Sequence, residues 1–123
     1  MAFLTDRKRA VGMGSAREGT NRHWSMTVTS MALLVLTPLF VLTFGAALGG
    51  TQAEVAAHFA RPYPALVTGL TLLVAAVHFK NGVRMMIEDY VHGFAREFWI
   101  IAMTCLSYAL AATGVFAILK MAL

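Results

Sequence analysis

Four residues in one stretch of this chain have side chains or positions suited to chemistry: His78, Gly82, Asp89 and Tyr90. The imidazole lies within an apolar run, and the carboxylate and phenol lie where that run ends. An ionisable group in such a run is costly unless it finds a partner, a cofactor or a wet cavity, so each one marks a candidate functional site. For His78 the two candidate uses are a ligand to haem iron and a hydrogen bond between helices.

Helical spacing places three of these residues on one line. At 100° per residue, His78 shares a face with Gly82 and with Asp89, and the His78 to Asp89 separation along the axis is about 16 Å. A glycine one turn from the imidazole leaves a flat recess, which suits a planar macrocycle whose iron binds the ring nitrogen. From the spacing alone, the preferred interpretation of Asp89 is a surface charge at a helix end, and that of Tyr90 is an interfacial aromatic.

The other charged residues of this stretch are Lys80, Arg84 and Glu88. Arg84 and Glu88 are four positions apart, which predicts an ion pair on one helix face. We interpret Lys80 and Arg84 as a solvated or snorkelling face, with contact to haem propionates as the alternative.

Composition predicts a membrane protein. The chain has 123 residues, of which 59% are hydrophobic and 13% charged, with a mean hydropathy of +0.69. Three apolar runs are long enough to cross a bilayer core of about 30 Å as helices. We predict an all-α membrane protein whose three transmembrane helices span approximately residues 26–48, 65–87 and 98–119, within a domain of residues 25–123.

The distribution of basic residues predicts the orientation of these helices. Of the ten Lys and Arg residues, only Arg61 and Lys120 fall on the side of the first loop and the C-terminus. The positive-inside tendency therefore predicts a cytoplasmic N-terminus and a periplasmic C-terminus. The net charge of +4 is explained by this bias, with anionic lipid headgroups as partner and no nucleic acid.

Residues 1–24 form a predicted cytoplasmic N-terminal segment that is retained, because the following apolar run is too long for a signal peptide. In the first loop, Glu54 and His58 are four positions apart, which fits half of a metal site but more readily a short amphipathic turn. Near the end of the third helix, small residues predict a close approach of another helix. These are Ala111, Ala112 and Gly114.

The run His78-Phe79-Lys80-Asn81-Gly82, followed by Asp89-Tyr90, resembles the signature of the small hydrophobic anchor subunit of succinate dehydrogenase. That signature has a His-x-x-x-Gly element and an Asp-Tyr pair eleven positions past the histidine. The segment from Gly14 to Gly19 before His23-Trp24 is also similar to that of proteobacterial members. The resemblance covers most of the chain and implies a multi-pass protein of the bacterial cytoplasmic membrane.

The resemblance also implies residue roles. His78 corresponds to the axial ligand that this subunit gives to haem b, with the second ligand supplied by the larger cytochrome b-type anchor. Asp89 and Tyr90 correspond to the pair at the ubiquinone site, where the phenol donates to a quinone carbonyl. Thr27 stands where the family often carries an arginine, so Arg22 is the expected substitute at the haem propionates, and Gly82 is expected to lie beside the haem.

The expected function is that of a membrane anchor of succinate:ubiquinone oxidoreductase. The chain has no dinucleotide-binding glycine pattern and no cysteine cluster, so FAD and iron–sulfur clusters are expected only in a flavoprotein and an iron–sulfur partner subunit. The alternatives are a fumarate reductase anchor that uses menaquinol, and a haem-free membrane scaffold or transporter.

Overall fold

The computed structural model describes residues 5–7, 9 and 18–123. Residues 18–123 form four helices: α1 (Glu18–Gly45), α2 (Gln52–Phe59), α3 (Pro62–Tyr90) and α4 (Phe94–Ala122). The three long helices contain the candidate membrane spans Gly19–Gly45, Pro62–Tyr90 and Phe94–Ala122. An all-helical chain with three candidate spans is therefore confirmed.

The helix ends follow from local backbone chemistry. Helix α1 ends at Gly45, three residues before the predicted end of the first span, and the chain then turns through Gly49 at a φ of 81°. Helix α3 begins with a proline in its first turn, where the missing N–H costs nothing. Gly93, at a φ of 67°, separates α3 from α4.

The predicted N-terminal segment of residues 1–24 lies mostly outside the described residues. Its last part, from Glu18 onward, is the start of α1. Helices α3 and α4 extend beyond their predicted spans at both ends, and α1 does so at its start, because a helix continues into the interfacial region wherever its backbone hydrogen bonds can be maintained.

The short helix α2 lies in the first loop and is held by its cap. The backbone N–H of Thr51 donates to the Glu54 carboxylate at 2.7 Å, and the Glu54 N–H donates to the Thr51 hydroxyl at 3.4 Å. The Thr51 N–H and the Thr51 hydroxyl, which donates to the same carboxylate at 2.9 Å, lower the pKa of Glu54 below its usual value. The His58 ring bonds the Thr43 carbonyl oxygen at 3.0 Å. Both residues of the conceivable metal half-site therefore have structural roles.

Helix α3 is the central element of the bundle. Within residues 18–123 it packs against α1 on one side and α4 on the other, and α1 and α4 make no packing contact with each other. Among the described residues few apolar side chains are buried; they are Phe59, Pro64, Val67, Ile87 and Ile118. Most large apolar side chains face outward, as expected for helices that meet lipid or partner subunits rather than water.

The antiparallel order of the three long helices gives the bundle two distinct ends. The start of α1 lies beside the end of α3, as shown by a contact between Arg22 and Glu88. The other end carries α2, which packs near the C-terminal part of α4. The predicted charge asymmetry thus corresponds to two physical ends, and the side of the membrane that each end faces stays a prediction.

One close approach between α3 and α4 depends on a glycine. A Cβ atom added at Gly114 would lie 3.0 Å from Cδ1 of Leu72. That separation is shorter than an ordinary carbon–carbon contact, so any larger side chain must displace Leu72. The small-residue patch predicted near the end of the third helix is therefore a packing site for Leu72.

We expect Gly114→Leu to lower the stability of the bundle, because overpacking a close contact typically costs about 1–3 kcal/mol. The measurement is the thermal unfolding midpoint of the purified protein in detergent. Gly69→Leu is the matched control, since nothing lies within 4 Å of a Cβ added at that position in α3. Equal midpoints for the two variants would contradict a close-packed α3–α4 contact at Gly114.

Candidate functional site

A ladder of polar contacts joins α1 to α3 at one end of the bundle, and we refer to it as the polar ladder. Its three rungs are Arg22 with Glu88, Ser25 with Asn81, and Thr29 with His78. The α1 members are three and four positions apart, so they occupy one helix face. The polar ladder therefore fixes the rotation of α1 against α3 and positions the predicted ligand His78.

The deepest rung joins Oγ1 of Thr29 to Nδ1 of His78 at 2.9 Å. The same hydroxyl donates to the Ser25 carbonyl oxygen at 2.8 Å and approaches the Met26 carbonyl at 3.1 Å. A hydroxyl has one proton and a carbonyl oxygen can only accept, so the proton of Thr29 is used within α1. The assigned tautomer of His78 therefore has its proton on Nδ1, which donates to Thr29.

This tautomer leaves the lone pair on Nε2 of His78. The ring is half-buried and has no further hydrogen bond among the described residues. A neutral imidazole whose protonated nitrogen is held by an oxygen acceptor is the usual arrangement of a metal-bound histidine. The interhelical hydrogen bond and the metal ligand, which were alternatives for His78 in the sequence, are thus compatible because they use different nitrogens.

The surroundings of Gly82 are open but not empty. Apart from chain neighbours and the helix backbone, the one atom of the described residues within 4 Å of a Cβ added there is Cε of Met26, at 3.8 Å. A methionine side chain is flexible and can move at low cost. A recess at Gly82 therefore exists beside α1, and its use by a cofactor stays a prediction.

In the outermost rung, the Glu88 carboxylate pairs with Arg22 of α1 and also with Arg84 of its own helix. Glu88 accepts from the Arg22 guanidinium at 3.1 and 3.2 Å and from Nε of Arg84 at 2.9 Å. The predicted Arg84–Glu88 pair is confirmed. Exposed ion pairs are worth at most about 1 kcal/mol each, so their main effect here is to fix where these side chains lie. The structure places Arg22 on Glu88, and its contact with a haem propionate stays a prediction.

Asp89 and Tyr90 are the last two residues of α3 and lie at the surface. Tyr90 is 80% exposed, and the side chains of Asp89 and Tyr90 make no hydrogen bond or ion pair within the described part of the chain. Their position, about 16 Å along the axis from His78, is that of a helix end. Both side chains are thus available to a substrate or a partner subunit at the end where the polar ladder begins.

Residues 5–7, 9 and 18–123 contain no group of three or more His, Cys, Asp or Glu side chains that could hold a metal ion. His78 is therefore not grouped with two further side chains of these types in this part of the chain, and its role as a metal ligand stays a prediction.

Sequence reasoning did not identify the partners of these residues. Thr29 as the partner of His78, Ser25 as the partner of Asn81, and Arg22 as the partner of Glu88 all emerge from the packing of α1 against α3. One signal was present in the sequence: Ser25 and Thr29 are polar, four positions apart and at the start of an apolar run. Polar residues so placed tend to face another helix rather than lipid.

Comparison with known proteins gives two matches and one absence. The sequence model of a family described as "Succinate dehydrogenase/Fumarate reductase transmembrane subunit" matches residues 2–117. The chain is 46% identical to the succinate dehydrogenase hydrophobic membrane anchor subunit of Paracoccus denitrificans, over 123 residues that cover 100% of this chain and 95% of that protein. No solved structure matches the chain.

Proposed function

The chain belongs to the succinate dehydrogenase/fumarate reductase family of transmembrane subunits, and on this premise we propose that it anchors a succinate:ubiquinone oxidoreductase. In this proposal it contributes one haem b ligand and part of the ubiquinone-reduction site. The single observation that carries the proposal is the Thr29–His78 hydrogen bond, which leaves Nε2 of the imidazole available as a ligand.

His78 is the residue that would hold haem b, and its free Nε2 is the type of nitrogen donor that haem iron binds. Haem, when bound, supplies a one-electron redox centre whose potential depends on its axial ligands and their hydrogen bonds. In this chain Thr29 orients the imidazole ring of His78. Gly82, one turn further along α3, has no side chain and leaves space beside that ring. The second axial ligand is assigned to a cytochrome b-type anchor subunit.

Asp89 and Tyr90 are assigned to the quinone site. Reduction of ubiquinone to ubiquinol takes up two protons for two electrons, so the site needs a donor to a carbonyl oxygen and a route for protons from water. Tyr90 has an exposed hydroxyl that can donate to the carbonyl, and Asp89 is an exposed carboxylate beside it. Their place at the end of α3 gives the pair access to the membrane interface.

The orientation proposed from charge puts this end in the cytoplasm, where an iron–sulfur subunit and a flavoprotein would dock. Succinate oxidation, FAD and the iron–sulfur clusters are assigned to those partners. The succinate direction is preferred over fumarate reduction because the relative from Paracoccus denitrificans is a succinate dehydrogenase subunit. The proposed location is the cytoplasmic membrane of a bacterium.

Replacing the proposed ligand tests the haem assignment directly. We expect His78→Leu to abolish the bis-imidazole haem signal, because leucine cannot bind iron. The measurement is the reduced-minus-oxidised absorption spectrum of the complex purified through a tag on this chain. The control His58→Gln lies at the opposite end of the bundle and should leave the spectrum intact. An unchanged spectrum in His78→Leu would remove this residue from the haem site.

The hydroxyl of Thr29 should matter for the same spectrum. Loss of a bond that orients a metal ligand typically weakens metal binding by about 10- to 100-fold, so Thr29→Val should lower haem retention and shift the haem midpoint potential. Thr29→Ser should restore both, since serine keeps the hydroxyl. Thr27→Val is the matched control, because its hydroxyl bonds only the His23 carbonyl. Wild-type retention and potential in Thr29→Val would contradict a positioning role.

The quinone assignment is tested at Tyr90. We expect Tyr90→Phe to lower kcat/KM for ubiquinone by about tenfold or more, because the donor to the developing charge on oxygen is lost. Succinate oxidation with a soluble dye acceptor should stay at the wild-type rate. Tyr63→Phe, at the other end of α3, serves as control. Equal rates with ubiquinone in Tyr90→Phe and wild type would exclude this phenol from the site.

A further inference from the structure

A cationic cavity lies at the end of the bundle that carries the polar ladder. Its volume is about 310 Å³. Its polar lining comes from all three long helices and consists of Arg22, Lys80, Asn81, Arg84, Thr104 and Tyr108. The cavity lies among the three candidate membrane spans, near the end of α3. We therefore expect it to lie at the depth where lipid headgroups meet acyl chains.

Lys80 differs from the two arginines of this cavity in its partners among the described residues. Three cations line it, and the nearby carboxylate of Glu88 pairs with two of them, Arg22 and Arg84. Lys80 has no carboxylate partner among the described residues. Its Nζ donates to the Tyr108 hydroxyl at 3.2 Å and lies 5.2 Å from the centre of that ring. An ammonium at the edge of an apolar run without a counterion favours an anionic ligand.

An apolar groove lies between α3 and α4, and exposed apolar residues of α3 lie between it and Lys80. On this side α3 carries Val77, Leu73 and Leu70, which are exposed and lie one turn apart. The last two of these residues also line an apolar cavity of about 550 Å³ between α3 and α4. Lys80 and Leu70 are about 15 Å apart along the axis of α3, which is half the thickness of a bilayer core of about 30 Å.

We propose that the cavity binds the phosphate headgroup of one anionic phospholipid and that the groove holds an acyl chain of the same molecule. A cationic site followed along α3 by exposed apolar residues to about one leaflet's depth complements both parts of such a lipid. Lys80 lies about 200° around α3 from His78, so the lipid site is on a different side of the helix from the proposed haem ligand. The site does not depend on the haem or quinone assignments.

The experiment measures bound phospholipid in the complex purified through this chain. The complex is delipidated in detergent, titrated with phosphatidylglycerol or with phosphatidylcholine, and analysed by native mass spectrometry. We expect wild type to retain one phosphatidylglycerol in preference to phosphatidylcholine. Lys80→Gln should weaken that retention about five- to tenfold, as expected for loss of one basic contact. Lys80→Arg should restore it, and the control Lys120→Gln, at the opposite end, should match wild type.

Several results would overturn the proposal. Equal retention of the two lipids by wild type is one, and it needs no variant to fold. Unchanged phosphatidylglycerol retention in Lys80→Gln is another, as expected if a helix of a partner subunit covers the groove. Full competition by inorganic phosphate would indicate an ion site without a role for the acyl groove. A shift of the haem spectrum in Lys80→Gln, with lipid retention unchanged, would assign the cavity to haem carboxylates.

Discussion

The structure of this chain depends on satisfying polar groups at the edge of an apolar medium. An unpaired polar side chain in lipid is costly, and among the described residues of α3 Glu88 has a partner in Arg84, whereas His78 and Asn81 have none. The polar ladder provides an α1 partner for each of these three residues. Individual interhelical hydrogen bonds in membranes are worth only about 0.6 kcal/mol on average, so the ladder specifies how the helices are rotated more than it stabilises them.

The bundle around this ladder is open, with α3 at its centre and no packing between α1 and α4 within residues 18–123. So few side chains are buried that much of each long helix presents apolar surface outward. Such a surface is expected for a subunit whose remaining contacts are made by other subunits and by lipid. On α3, His78 and Lys80 point about 200° apart, while Arg22 and Asn81 belong both to the polar ladder and to the lining of the cationic cavity.

The two nitrogens of one imidazole resolve an ambiguity that spacing left open. A histidine in an apolar run fits a hydrogen bond between helices or a metal ligand, and the Thr29 contact uses Nδ1 alone. The packing of α1 therefore holds the ring through Nδ1 and leaves Nε2 available for the proposed role as a ligand. Asp89 and Tyr90 differ from His78 in having no such support within the described residues, as expected for groups that complete their environment with a substrate or a partner subunit.

The sequence alone determined the membrane class, the three spans, the family resemblance and the local Arg84–Glu88 pair, because hydropathy and helical spacing act within a few turns. It placed most helix ends within three or four residues and the start of α1 eight residues too late. Only the tertiary structure decided that Arg22 pairs with Glu88, 66 positions away, and that Thr29 meets His78, 49 positions away. Such pairs depend on the rotation and depth of one helix against another, and these follow from the packing of whole faces rather than from any local pattern.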